Sequence, residues 1–313
     1  MLPILLLVLF TYSQVNTEIL PKSFTISQKY FPRAKKTELP VFALSEAERL
    51  DKIDEKNGSF PKIGRSIYTN ITLDNSGSWS YLPDGGRVWR LMVVSEGAQA
   101  LIPYFNGFYL PQGATFHVYT PEKDEVIGAY TSTSNPKDGY FSTGLIHGES
   151  CILEYYEPAN VIGQGIISLN EVGHAYRWVN NYFPRKSPRE AQGPSLGFGS
   201  SSSCEVNVNC SEGANWQNQK NAVVCILVQS TQGQGFCTGS MINNTNQDCT
   251  PYLISAQHCS EGTTSNQYSQ WVFYFNYEAP TCTNPSTVGT LTNHSLTGCT
   301  KKADSNDNGG ATG

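Results

Sequence analysis

The chain has 313 residues, of which 15% are charged and 39% hydrophobic, and its formal net charge is −5. This balance provides no basic surface for nucleic acid, so no nucleic-acid partner is expected. Nine cysteines, eight of them after residue 200, indicate an oxidising compartment and a disulfide framework. Structural zinc is the rival interpretation. Because Cys-x-x-Cys and His-x-x-x-His spacings do not occur in the sequence, neither a metal nor another cofactor is expected.

The first residues predict export. Residues 2–10 form a compact apolar run, and the small or polar residues Thr11 and Ser13 follow it. The run is too short to span a bilayer and is typical of a signal peptide, here residues 1–13. No later stretch approaches membrane-spanning length. We therefore expect a secreted, extracellular protein without a membrane partner.

Residues 14–77 have a mixed composition and are interpreted as an N-terminal arm. A charged patch from Ser45 to Lys56 predicts one short helix within it. Asn57-Gly58 and Phe60-Pro61 then break the helical pattern, because Gly and Pro interrupt regular structure. Nothing in this arm indicates a catalytic or binding role.

From Ser78 the sequence changes to apolar residues at every second position, with Gly and Pro between the runs. This pattern predicts an antiparallel, sandwich-like domain over residues 78–182. Its predicted strands are Val88–Val94, Gln99–Phe105, Thr115–Tyr119, Val126–Tyr130, Gly139–Thr143 and Cys151–Tyr156. Trp89 is expected in the core. His117 and His147 are expected to be surface or hydrogen-bonded side chains without a catalytic role.

Residues 183–199 join the two halves of the chain and begin with Phe183-Pro184-Arg185-Lys186. Their Pro, Gly and Ser content disfavours regular structure, and the basic residues offer sites for proteolytic cleavage. A passive linker is one interpretation. Given the histidine motif downstream, we favour an activation segment, cut between Arg185 and Gly199, whose scission frees the second domain.

A second β-domain is predicted over residues 200–313. Its strands are predicted at Asn221–Val228, Gly235–Ile242, Pro251–Ala256 and Gln270–Tyr277. The third strand leads directly into Gln257-His258-Cys259. A histidine that follows a strand and precedes a cysteine is a candidate general base if its backbone is held rigidly.

Two motifs carry a family resemblance. Cys237-Thr238-Gly239-Ser240-Met241, followed by Ser255-Ala256-Gln257-His258-Cys259, resembles the strand–loop–histidine unit of trypsin-fold serine endopeptidases. The closer similarity is to the bacterial lysyl endopeptidase branch, through Cys204–Cys210, Asn243-Asn244-Thr245 and Phe275-Asn276-Tyr277 ahead of Cys282. The resemblance implies an all-β chain: a β-sandwich-like pro-domain followed by the first half of a trypsin-like double β-barrel.

The resemblance also implies site residues. His258 takes the position of the general base in a His-Asp-Ser triad. The family's disulfide positions correspond to Cys237–Cys259 and Cys210–Cys282, and Cys204 corresponds to a cysteine whose partner lies in the second barrel. Spacing alone leaves the pairing of the remaining cysteines open, with Cys225–Cys299 as one option. Those remaining cysteines are Cys151, Cys225, Cys249 and Cys299.

The nucleophile and the carboxylate are not found by the same reasoning. The resemblance places Ser240 on the structural strand before the histidine. Gly193-Pro194-Ser195-Leu196-Gly197 matches Gly-x-Ser-x-Gly but lies in the linker, not on a strand–turn–helix elbow. Asp304 and Asp307 lie in a polar stretch, whereas a triad aspartate in this family opens an apolar strand. We therefore expect the Asp and the Ser beyond Gly313.

Residues 78–182 also resemble the pro-region that precedes such peptidases, through Phe108–Ala114, Glu154–Pro158 and Ile167–Tyr176. Together the resemblances imply a secreted serine endopeptidase zymogen that cleaves proteins or peptides after Lys or Arg. Its pro-domain would act in cis on the peptidase domain, and the chain as given would be inactive. The alternative is a non-catalytic secreted binding or adhesion protein that retains a peptidase-like half barrel.

Overall fold

The computed structural model describes residues 4–9, 19–184, 202, 204–283 and 294–304. Strands dominate these residues and the helices are few and short, which confirms the all-β prediction. The chain divides into two compact units. The sandwich unit consists of Tyr12–Glu48 and Gly64–Ala175, and the barrel unit consists of Met1–Thr11, Arg49–Ile63 and Tyr176–Gly313.

Most of the regular elements are strands. They are β1 Ile4–Leu9, β2 Lys35–Glu38, β3 Lys62–Thr72, β4 Ser78–Tyr81, β5 Arg87–Val94, β6 Ala100–Tyr109, β7 Thr115–Tyr119, β8 Val126–Tyr130, β9 Phe141–Ser142, β10 Ile146–His147, β11 Ser150–Glu157, β12 Ile166–Ala175, β13 Val223–Ser230, β14 Gly233–Ile242, β15 Tyr252–Ala256, β16 Val272–Phe275, β17 Ser295–Thr297 and β18 Cys299–Asp304. The helices are α1 Lys22–Thr25, α2 Leu44–Lys56, α3 Val179–Tyr182, α4 Gln217–Ala222 and α5 Ser265–Tyr268. Among the described residues, no helix combines the length and the apolar character needed to cross a membrane.

Two sheets form the sandwich unit. One has the strand order β10-β6-β12-β3, with β9 on β6, and the other has the order β2-β5-β11-β7-β8, with β4 on β5. The apolar core between them takes Phe105 and Leu169 from the first sheet and Trp89 and Leu153 from the second. Strands β2 and β3 belong to these sheets although they lie in the stretch interpreted as an arm.

Trp89 shows how the sandwich core is built. Its side chain is fully buried, as predicted, and its indole Nε1 donates to the Ser76 carbonyl at 2.8 Å. A Cβ on Gly77 would lie 2.5 Å from the indole ring, and Gly77 has a φ of 70°. Only glycine combines this close approach with a left-handed backbone, so the turn before β4 depends on it.

The two histidines of the sandwich unit that were expected to be satisfied are hydrogen-bonded. His117 Nε2 donates to the Ile19 carbonyl at 2.8 Å, and burial lowers the pKa of this imidazole. His147 Nδ1 lies 3.0 Å from a carboxylate oxygen of Glu125. These contacts give both imidazole rings a structural role.

In the part of the barrel unit that the structure describes, seven strands form a nearly closed, barrel-like sheet. β14 lies between β13 and β15, and β13 continues through β16 to β17. β1 pairs with both β15 and β18, and Gly298 alone separates β17 from β18. The strands enclose a core that includes Leu253, Trp271 and Phe273, all fully buried. This arrangement agrees with the expected trypsin-like barrel.

The first barrel strand lies within the predicted signal peptide. The backbone of β1 pairs antiparallel with β15, where Ile4 faces Ala256, and with β18, where Leu5 faces Asp304. Residues 4–9 thus occupy a strand position between β15 and β18. The signal peptide itself stays a prediction.

Candidate active site

His258 lies in a 3₁₀ turn, Gln257–Ser260, that directly follows β15. β15 is held against β14 by antiparallel pairing, with Ser255 opposite Gly239. The disulfide Cys237–Cys259 joins β14 to the residue after His258, and its Cα atoms are 6.2 Å apart. The backbone on both sides of the imidazole is therefore tied to the same strand.

Hydrogen bonds complete the support of this turn. Ser260 Oγ donates to the Gln257 carbonyl at 2.7 Å, and the Glu261 N–H donates to the His258 carbonyl at 3.3 Å. Cys259 and Ser260 are buried, whereas the His258 side chain is exposed. An exposed imidazole on a rigid turn can accept a proton from an incoming group, which is the requirement for a general base.

A ring nitrogen of His258 lies within 4.8 Å of the sulfur atoms of Cys237 and Cys259. Such a His-Cys-Cys cluster has the residue types of a zinc site. The two sulfurs are bonded to each other, however, and the thiolate is the form of cysteine that binds metal. With the disulfide intact, the imidazole is the group in this cluster that can take part in chemistry.

Ser240, in the same motif as Cys237, lies in the wall of the barrel. It is paired with Val223 of β13 and with Ile254 of β15. Its hydroxyl contacts the Met241 carbonyl at 3.5 Å. The strand position agrees with the role that the resemblance gave to Ser240.

The one candidate carboxylate that the structure describes, Asp304, is not paired with His258. Asp304 ends β18 and accepts a hydrogen bond from Lys301 Nζ at 2.6 Å. Asp307 lies outside the described residues, as do Ser195 and the predicted activation segment from Arg185 to Gly199. Within the described part of the chain, no hydrogen bond or ion pair joins the His258 ring to a carboxylate.

The second disulfide, Cys210–Cys282, has Cα atoms 4.3 Å apart and links residues 72 positions apart. The other five cysteines are unbridged, so Cys225 and Cys299 do not form a pair. Burial raises the pKa of Cys225 to about 12 and that of Cys299 well above its usual value. These two side chains therefore remain protonated thiols at neutral pH, and neither is an activated nucleophile.

A cavity of about 360 Å³ lies beside β13 and β14. Its walls include Tyr182, Cys225, Phe236 and Tyr277. His258 does not line this cavity, so it is distinct from the candidate catalytic position. Sequence patterns did not indicate it, because its walls come from separate strands, a helix and a loop that are far apart in the sequence.

Comparison with known proteins addresses the same part of the chain. Residues 198–310 match the family model described as lysyl endopeptidase, C-terminal domain. A lysyl endopeptidase from Pseudomonas aeruginosa is 28% identical over 211 residues. The chain is lysyl endopeptidase-like. His258 and both disulfides of this lysyl endopeptidase-like chain fall within the matched residues.

The alignment is partial on both sides. It covers 63% of this chain and 42% of the Pseudomonas aeruginosa protein, so the chain spans less than half of that relative. A solved structure, PliG of Aeromonas hydrophila, a periplasmic inhibitor of g-type lysozyme, is 16% identical and covers 45% of this chain and 96% of its own. Its TM-score is 0.20, so this second likeness supports neither a fold nor a function.

Proposed function

We propose that the chain is the front part of a secreted serine endopeptidase zymogen in which His258 is the general base. The observation that carries the proposal is the exposed His258 on a turn tied to β14 by Cys237–Cys259, within the residues that match lysyl endopeptidases. His258 takes the proton from a serine hydroxyl as the oxygen attacks the peptide carbonyl. It then returns that proton to the leaving amine.

The catalytic Asp and Ser are proposed to follow Gly313. The place of β1 supports this for the Asp. A strand in that position runs antiparallel to β15 and starts opposite Ala256, two residues before His258. Its second residue faces Asp304, where β18 ends, so a chain that turns back after β18 would enter this place once the proposed signal peptide is removed. An aspartate that opens such a strand would begin it beside the imidazole it must orient.

The substrates are proposed to be proteins or peptides cleaved after Lys or Arg. The support is the similarity to a protein named lysyl endopeptidase. Secretion is proposed from residues 1–13, and maturation from the basic linker between Arg185 and Gly199. The sandwich unit is then a pro-domain that acts in cis on the barrel unit.

The test compares two variants of the full-length protein, whose sequence past Gly313 is read from its gene. His258→Ala should lower turnover of fluorogenic Lys and Arg peptides by about 10⁶-fold, because a serine without its base is a weak nucleophile. Gln257→Ala, the neighbouring residue on the same turn, should retain activity. A Leu peptide serves as the specificity control.

A His258→Ala protein that is folded and retains activity would remove His258 from the mechanism. A full-length protein that lacks peptidase activity altogether would favour the non-catalytic binding protein instead. Circular dichroism of both variants establishes that any loss is chemical rather than structural.

A further inference from the structure

The barrel unit includes residues that precede the proposed cut between Arg185 and Gly199. Besides Met1–Thr11, two such segments belong to it, Arg49–Ile63 and residues 176–184. Each segment buries one phenylalanine, Phe60 at 2% exposure and Phe183 at 6%. The compact unit around His258 is therefore not made only of the residues that follow the linker.

Phe60 packs into the barrel core. It belongs to the same buried cluster as Val224, Ile226 and Trp271. A Cβ on Gly235 of β14 would lie 2.6 Å from the Phe60 ring and 2.5 Å from the Pro61 carbonyl oxygen. The absence of a side chain at Gly235 is what allows the Phe60 segment to lie directly against β14.

Phe183 is held by three aromatic rings of the barrel. Its ring centroid is 4.9 Å from that of Phe236, 5.0 Å from Tyr274 and 5.3 Å from Tyr277. The Tyr277 hydroxyl also donates to the Tyr182 carbonyl at 2.6 Å. We call Phe236, Tyr274 and Tyr277 the aromatic cage. It fixes both the Phe183 side chain and the backbone beside it.

An ion cluster joins the two segments to each other. The Arg177 guanidinium lies 3.2 Å from Asp51 and 2.9 Å from Glu55, and its Nε donates to the Lys62 carbonyl at 2.6 Å. Tyr176 donates from its hydroxyl to Asp51 at 2.7 Å. Phe60 and Phe183 are thus presented by one connected piece of structure, although more than a hundred residues separate them in sequence.

We propose that the part of the barrel unit that follows the linker keeps the pro-region bound after the linker is cut, with Phe60 and Phe183 as the two anchors. Both anchors precede the proposed cut between Arg185 and Gly199 and their partners follow it, so this cut breaks none of the contacts described. The proposal rests on the proposed function in one respect, namely that this linker is the natural cleavage site. The partner recognised by the aromatic cage is the chain's own pro-region.

The test uses the full chain with a C-terminal affinity tag and a recognition site for an unrelated, sequence-specific protease inserted after Ser195. After the cut, the N-terminal piece should co-purify with the tagged piece and co-elute in size-exclusion chromatography. Phe183→Ala should weaken the association by about 100-fold or more, because a fully packed aromatic side chain is removed. Tyr277→Phe, which removes only the hydroxyl, should weaken it about 2- to 10-fold.

The matched control is Tyr81→Ala, which truncates an exposed aromatic side chain of the sandwich unit and should leave the association unchanged. β1 also contacts strands that follow the linker. The wild type and all variants are produced with the same N-terminus, so the ratio of affinities isolates the anchors. Each variant is compared with the wild type by circular dichroism before the cut.

Two outcomes would overturn the proposal. One is separation of the wild-type pieces in native buffer, and the other is equal retention in wild type and Phe183→Ala. Because an added protease makes the cut, neither result depends on peptidase activity. Failure of the proposed function would appear instead as an inactive full-length protein with retention intact.

Discussion

At the scale of single residues, the structure separates polar side chains with structural roles from His258, for which a chemical role is proposed. Glu154 and Glu157 belong to the motif that resembles a pro-region, yet both are buried and have partners. Glu154 accepts from the Tyr119 hydroxyl at 2.8 Å, and Glu157 pairs with Arg87 at 2.7 Å. His258 differs because its ring is exposed and its backbone alone is constrained. Burial, not residue type, makes this distinction.

His174 provides a prediction at this scale. Its Nδ1 lies 2.7 Å from Ser95 Oγ, its ring stacks on Phe42 at 4.0 Å, and burial lowers its pKa to about 4. An unfolded chain has a histidine pKa of about 6.5 and binds the proton first. The free energy of unfolding of the sandwich unit should therefore have its full value above pH 6.5 and fall by a few kcal/mol as the pH drops to about 4.

Urea denaturation at several pH values between 7.5 and 4 measures this dependence. His174→Asn keeps a polar partner for Ser95 and should flatten the pH dependence. His258→Asn changes an exposed histidine and should leave it as in the wild type. An unaltered slope in His174→Asn would contradict the assignment, and the residual slope should include His117, whose pKa is also lowered by burial.

At the scale of elements, β14 is the strand on which the candidate site depends. It carries Cys237, pairs with β13 and β15, and lies against Phe60 at Gly235. Gly239 of the Cys-Thr-Gly-Ser motif is equally constrained. A Cβ there would lie 2.5 Å from Leu253 and 3.0 Å from Ile226. The motif glycine is thus required by packing inside the barrel.

Gly239→Val should lower the free energy of unfolding of the barrel unit by about 1–3 kcal/mol, because overpacking displaces neighbouring side chains or backbone. Thr238→Val is the control, since it introduces the same side chain at the adjacent, exposed position of β14. Chemical denaturation of both variants measures the difference. Equal stability of the two would show that the barrel core accommodates a side chain at position 239.

At the scale of the whole molecule, the chain as given should hydrolyse no peptide bond. Within the described residues His258 has no carboxylate partner, and Ser240 is held in the barrel wall. Even where the serine is present, loss of the carboxylate that orients the imidazole lowers turnover about 10⁴-fold. Purified residues 1–313 incubated with fluorogenic Lys and Arg peptides should match a His258→Ala control.

Turnover that is present in residues 1–313 and disappears in His258→Ala would show that these residues contain a nucleophile. The catalytic Ser would then not have to lie beyond Gly313, and the proposed division of the triad would be wrong. Turnover that persists in the control would instead indicate a contaminating peptidase.

The sequence by itself determined the β character of both halves and the helix near residue 50. It also indicated the strand that ends two residues before His258. Period-two patterns and turn residues are local signals, and the paired cysteine motifs are specific in their order. Strand ends were less accurate: Gln270–Tyr277 was predicted where β16 covers Val272–Phe275. α5 ends at Tyr268, and Asn276 has a left-handed φ of 56°.

Only the tertiary structure decided which distant segments share a unit. Nothing in the composition of residues 49–63 marks Phe60 as a member of the barrel core, and Phe183 appeared only as the start of a linker. It also decided that Gly235 and Gly239 are packing requirements and that His174 is buried. Long-range contacts depend on which surfaces meet after folding, and a local pattern of apolar and polar residues does not specify that.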